Sequence, residues 1–88
     1  MFEVILSPEA RTFYARADQP LAKKLARCFS QLERDPRPSA SNNIKRLTGE
    51  FAGLWRYRIG EWRVVYRIEI PKRQVQVLVI AHRREVYE

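Results

Sequence analysis

Arginine and large apolar residues trade places along one stretch of this chain. Arg56, Arg58, Arg63 and Arg67 are threaded between Trp55, Tyr57, Trp62 and Tyr66. Side chains of an extended strand point alternately to opposite faces, so the pattern constrains this stretch to strands with an apolar face and a guanidinium face. Gly60-Glu61 falls between the two runs and supplies a tight turn. Arg56 and Arg58 then share one face of their strand, and Arg63 and Arg67 share one face of the next. Whether the two pairs look the same way depends on register, which alternation does not set.

The hairpin sits inside a longer extended region. Leu54 to Ile59, Trp62 to Ile70 and Val75 to Ala81 read as strands, with Pro71-Lys72-Arg73 as a second turn. Upstream the period is helical. Phe2 to Leu6 reads as an opening strand, after which Ser7-Pro8-Glu9 has the marks of a helix start: an N-cap hydroxyl, proline in the first turn and an acid at the positive end of the dipole. This helix is predicted to run to Ala17. Asp18-Gln19-Pro20 repeats the punctuation and opens a second helix, in which Leu21, Leu25, Cys28, Phe29 and Leu32 fall on one face while Lys23, Lys24, Arg27 and Arg34 lie off it. Asp35-Pro36-Arg37-Pro38 ends that helix, and Ser39 to Asn43 is a polar loop. The order predicts an α+β fold in a single domain over residues 1–88: an N-terminal strand, a two-helix hairpin, then an antiparallel sheet of three main strands with the helices packed on one face.

Composition narrows the function. With 45% hydrophobic residues the chain has enough apolar surface to fold around one core, which excludes a disordered segment. A net charge of +7 on 88 residues favours nucleic acid or an acidic protein as partner. The single cysteine, Cys28, and single histidine, His82, exclude an internal disulfide and a zinc cluster. No phosphate-binding glycine loop or dinucleotide fingerprint is present, so neither metal nor cofactor is expected. Met1-Phe2-Glu3-Val4 does not begin a secretory leader, and no apolar run is long enough to cross a bilayer; a cytoplasmic protein without membrane association is expected.

The arginines have two readings. They form a phosphate cradle, because guanidinium makes planar bidentate contacts to phosphate oxygens and keeps its charge; or they form a solvated face paired with Glu50, Glu61 and Glu69. Lys45 and Arg46, just upstream, are either further phosphate contacts or solubilising loop residues. His82 is the one side chain whose ordinary titration range suits acid–base work near neutral pH, and Arg83, Arg84 and Tyr87 follow it closely. Tyr87 could stack on a base or donate a proton to a leaving oxygen. Trp55, Tyr57, Trp62 and Tyr66 are read as core and sheet-edge packing, and Cys28 as core.

Lys45-x-Leu47-x-Gly49-x-x-x-Gly53-Leu54-Trp55-Arg56-x-Arg58-x-Gly60-x-Trp62-Arg63-Val64-x-Tyr66, followed by His82-Arg83-Arg84-Glu85-Val86-Tyr87, resembles the RelE/ParE toxin superfamily over nearly the whole chain, and most closely its RelE-type branch. The resemblance implies the toxin of a type II toxin–antitoxin pair. RelE-type members cut messenger RNA on the 70S ribosome, typically in the A site: a ribose 2′-hydroxyl attacks the adjacent phosphate, leaving a 2′,3′-cyclic phosphate and a 5′-hydroxyl. Their partner is an acidic, RelB-like antitoxin that wraps the toxin, and operator DNA is bound only through that complex. Either Arg83 or His82 matches the family's basic residue ahead of the terminal motif; Arg63 and Arg83 would stabilise the transition-state phosphate, and Arg56 and Arg58 would position the RNA backbone. Tyr87 would serve as acid or stacking partner. The best-known members often carry lysine where Arg56 and Arg58 stand, and arginine cannot act as a base; this makes His82 the preferred base and Lys45 the other candidate. The resemblance also admits a ParE-like inhibitor of DNA gyrase without nuclease chemistry, and a silent relative acting only as a repressor with its antitoxin. A titratable group near the arginines favours the nuclease.

Overall fold

Both helices begin where the sequence marks them. In the computed structural model, which describes residues 1–85, Ser7 caps α1 (Pro8–Arg16), its hydroxyl accepting from the Ala10 backbone N–H at 3.0 Å. Asp18 caps α2 (Gln19–Arg34) in the same way, accepting from Leu21 N–H at 3.0 Å. Each cap satisfies a donor that a helix start leaves open. The apolar stripe of α2 packs as its spacing predicts: Leu25, Cys28 and Leu32 are buried, with Leu21 and Phe29 half-buried beside them. At its end the Arg37 guanidinium lies 2.8 Å from Asp35 and holds that carboxyl down at about 2.

The helices cover one face of a five-stranded sheet. At one edge β1 (Glu3–Leu6) runs parallel to β5 (Gln74–His82). Antiparallel β4 (Trp62–Glu69) and β3 (Trp55–Ile59) follow, and β2 (Ile44–Arg46) closes the other edge. The three predicted antiparallel strands are therefore present, while β2 is an addition, too short at three residues for alternation to announce it. Short 3₁₀ turns, Pro38–Ala40 and Gly49–Phe51, occupy the connections on either side of β2. The core joins Ala10, Leu25, Cys28 and Leu32 from the helices to Ile44, Val64, Tyr66, Val75, Val77 and Ile80 from the sheet. Tyr66 is wholly buried and donates its hydroxyl to the Pro36 carbonyl at 2.7 Å, which satisfies the polar tip of an otherwise apolar packing residue. Burial pushes the Cys28 thiol and the Tyr66 hydroxyl up, keeping both protonated.

One irregularity organises the sheet. Val65 pairs with Val79 and Tyr66 with Val77, so Leu78 is the extra residue of a β-bulge on β5. The Leu78 carbonyl accepts the Ser7 hydroxyl at 2.7 Å, and Ser7 N–H donates to the Val77 carbonyl at 2.8 Å. Ser7 thus ends β1, caps α1 and holds the bulge. The extra residue reverses the alternation: Val75 and Val77 face the helices before it, and Ile80 faces them after it.

Ser7→Ala removes a helix cap, about 1 kcal/mol, and strands the bulge carbonyl, about 1 kcal/mol more; urea denaturation should show a loss of about 2 kcal/mol with an unchanged slope. Cys28 should resist Ellman's reagent in the native protein and react only upon unfolding. Labelling of the native protein at the rate of a free thiol would contradict its place in the core.

Candidate functional site

The β3–β4 ladder settles the register that alternation leaves open. Arg58 stands directly opposite Arg63, Arg56 opposite Val65, and Lys45 of β2 opposite Arg56. Val64 and Tyr66 belong to the core under the helices, so Lys45, Arg56, Arg58, Arg63 and Arg67 stand on the helix-free face. Arg46 does not join them. It pairs in register with Trp55 on the helix side, and its guanidinium lies over the Trp55 ring at 5.2 Å.

Alternation alone predicts a solvated row of arginines; the structure buries two of them. Arg56 is 5% exposed and Arg63 7%, and Val65 and Ala81 on the same face are buried with them. A buried guanidinium is tolerated when its donors are satisfied. Arg56 Nη1 donates to the Asn43 carbonyl at 3.0 Å, and Arg63 Nη1 donates to the Gly60 and Trp62 carbonyls, both at 3.1 Å. Arg58 remains exposed. Arg67 donates to Gln76 Oε1 at 2.8 Å and lies 3.5 Å from Glu69, so the solvated-pair reading holds for this arginine.

The two-residue turn Gly60-Glu61 gathers the end of the site. Gly60 has φ +56 at the first central position, the backbone that a type II′ turn requires and that glycine adopts without strain. Its carbonyl holds Arg63; the Glu61 carbonyl accepts Arg83 N–H at 2.7 Å. The Glu61 carboxylate lies 3.6 Å from Arg83 Nη1 and 3.3 Å from His82 Nε2. His82 Nδ1 accepts Arg84 N–H at 3.3 Å, which leaves Nε2 to carry the proton toward Glu61. Arg63 and Arg83 are thereby brought to one turn.

His82 is not brought to Arg63. It pairs in register with Trp62, meets that ring edge-on at 5.4 Å, and Trp62 in turn packs on Phe13 of α1 at 5.1 Å. The bulge at Leu78 is the reason, because one extra residue turns His82 toward the helix side. Tyr87 lies outside the described residues. Among the described residues no group of His, Cys, Asp and Glu side chains is arranged to hold a metal ion, and the charged groups of this face are cations. From sequence Glu61 is a turn residue and a possible partner of the arginines; an acid inside a two-residue turn, ahead of a basic C-terminal run, is the signal for its contacts with His82 and Arg83.

The sequence matches, over residues 4–87, a family described as the ParE toxin of the type II toxin–antitoxin system parDE. No curated protein matches the chain. Among solved structures, it is similar to the toxin–antitoxin complex RelBE2 from Mycobacterium tuberculosis, at 28% identity and a TM-score of 0.75, with 92% of this chain and 96% of that chain covered. The YoeB/ParE toxin from Agrobacterium tumefaciens has a TM-score of 0.79 at 21% identity, covering 92% of this chain and 98% of that one. The archaeal RelE–RelB complex from Pyrococcus horikoshii OT3 has the same TM-score at 18% identity, covering 97% and 98%. The last two likenesses are of fold.

Arg58 is exposed while Arg63 is held by backbone carbonyls, so Arg58→Glu should change stability in urea by no more than about 0.5 kcal/mol, as for an ordinary surface substitution. A loss well beyond that would show that Arg58 is part of the packing.

Proposed function

Because the chain belongs to the ParE-toxin family of type II toxin–antitoxin systems, we propose that it is the toxin of such a pair and that its activity is cleavage of messenger RNA in the ribosomal A site. The observation that carries this reading is the Arg58–Arg63 ladder pair, with Lys45 and Arg56 on the same sheet face. A sheet face that gathers several cations is suited to a polyanion.

In the reaction the ribose 2′-oxygen forms a bond to phosphorus while the bond from phosphorus to the 5′-oxygen breaks, giving a 2′,3′-cyclic phosphate and a 5′-hydroxyl. Arg63, held by two carbonyls, is fixed in place to meet charge developing on the phosphate, and Arg83, tied to the same turn, is its companion. One well-placed donor of this kind is worth about 3–4 kcal/mol in the transition state. Arg58 and Arg56 position the backbone, and Tyr87 protonates the leaving 5′-oxygen or stacks on a base. From sequence His82 is the preferred base. The register supports moving that role to Lys45, which shares the face of Arg58 and Arg63 and is exposed, whereas His82 acts on Arg83 through Glu61. Lysine, unlike arginine, can give up its proton.

The partner is an acidic antitoxin, as the basic charge favours and as the complexes among its structural relatives support; operator DNA is reached through that complex. The site of action is cytoplasmic, where ribosomes are. Among the described residues no helix is long and apolar enough to cross a membrane. The family description carries a second reading, a ParE-like inhibitor of DNA gyrase.

Primer extension on a defined mRNA in a translating ribosome separates the two. Wild type should cut within the A-site codon; Arg63→Ala should lose about 10²–10³-fold in rate, Lys45→Ala should lose more than His82→Ala, and all variants should melt as folded proteins. Absence of cutting by folded wild type overturns the nuclease reading, and inhibition of gyrase supercoiling by the same protein would establish the second.

A further inference from the structure

We propose that the cleft between α2 and the free end of β3 is a second site for a nucleic-acid backbone, continuous with the arginine rows of the sheet. The inference rests on the reading above only in taking RNA as the polyanion. Its starting point is the shortness of β2. That strand pairs only with Trp55, Arg56 and Tyr57, so the last residues of β3, Arg58 and Ile59, project past it at the sheet edge. Beside them α2 supplies Lys24 and Arg27, exposed and three residues apart on one helix face. Between the two lies a cleft of about 310 Å³ lined by Lys24, Arg27, Asn43, Tyr57, Arg58 and Ile59.

Three cations border this cleft and no acidic residue lines it. Among the described residues none of Lys24, Arg27 and Arg58 has an ion-pair partner; the carboxylates of Asp35, Glu61 and Glu69 are engaged elsewhere. The adjoining hollow, which shares Lys24 and Ile59, is lined in part by Asp18 and Glu61 and marks where the basic track ends. Arg58 stands opposite Arg63 in the ladder, so a strand held on the helix-free face needs only to round the end of β3 to reach Lys24 and Arg27.

The same edge disfavours an acidic peptide. A peptide adding to a sheet needs outward backbone donors, and the Arg58 N–H is already taken by the Asn43 carbonyl at 3.0 Å. What the edge offers is side-chain ammonium and guanidinium groups, which recognise phosphate without a strand register.

The test is fluorescence anisotropy of a labelled single-stranded RNA across a salt series, with the full chain. Lys24→Glu/Arg27→Glu is compared with Arg11→Glu/Arg34→Glu, which changes the net charge equally at exposed positions away from the cleft. The cleft pair should lose about tenfold more affinity than the control pair, and its slope of log affinity against log salt should shrink by about 1.4, two phosphate contacts at about 0.7 each. Lys24→Gln/Arg27→Gln should show the same slope change should the reversal fail to fold. Equal losses and equal slopes in the two pairs would mean net charge alone and overturn the site; so would an oligoglutamate peptide that loses binding in the cleft pair while RNA does not. Ribosomal primer extension keeps the two proposals apart. Wild type that cuts no mRNA but shows the slope change sinks the nuclease and leaves the cleft standing; wild type that cuts, with cleft and control pairs alike in binding, does the reverse.

Discussion

The hydrogen bond from the Ser7 hydroxyl to the Leu78 carbonyl holds the feature on which the rest of the sheet depends. A β-bulge leaves backbone groups out of the ladder, and a buried carbonyl without a donor costs on the order of 1–3 kcal/mol. Ser7 supplies that donor while its own oxygen caps α1 through Ala10 N–H. One small hydroxyl therefore couples the N-terminal strand, the first helix and the central irregularity of β5. With the bulge in place, Val75, Val77 and Ile80 all reach the helices, although 77 and 80 differ in parity.

The helix-free face follows from the same pairing. Arg63 stands across from Ala81, and Val65 across from Val79, so small and branched side chains lie beside the arginines and shield them from water. Guanidinium cannot shed its charge when buried, unlike lysine or a carboxylic acid, so carbonyl acceptors must come to it. The Gly60 turn and the Asn43 carbonyl do so. Arg56 and Arg63 are in this sense structural residues as well as cations, and a donor already held rigid loses little freedom in meeting a phosphate. Arg58, exposed and opposite Arg63, is the member of the set that the fold does not need for packing.

The turn at Gly60-Glu61 links that face to the C-terminal end of β5. The Glu61 carboxylate meets both His82 and Arg83. An exposed carboxylate contributes little to stability through such contacts; it is the backbone hydrogen bond from Arg83 N–H to the Glu61 carbonyl that ties the end of β5 to the turn. The charge distribution has the same logic at larger scale. A net charge of +7 steers polyanions toward the whole surface, and the sheet ladder and the α2 cleft are two places where its cations are gathered.

Much of this was legible in local sequence because the physics is local. Caps at Ser7 and Asp18, the apolar stripe from Leu21 to Leu32, the Gly60 turn and the alternation of arginine with aromatic residues each depend on neighbours within a turn or a strand pair. Strand β2 escaped because three residues carry no period. The burial of Arg56 and Arg63 escaped because their acceptors belong to turns whose approach depends on register. The side taken by His82 is the clearest division. Counted by alternation from Val75, it falls with Gln76 and Arg67 on the arginine face; the extra residue at Leu78 turns it to Trp62 instead. Nothing around Leu78 marks a bulge, since its hydroxyl partner lies 71 residues away in the chain. Local chemistry thus determined the elements and their two-faced character, whereas which side each cation occupies was decided only when distant segments met.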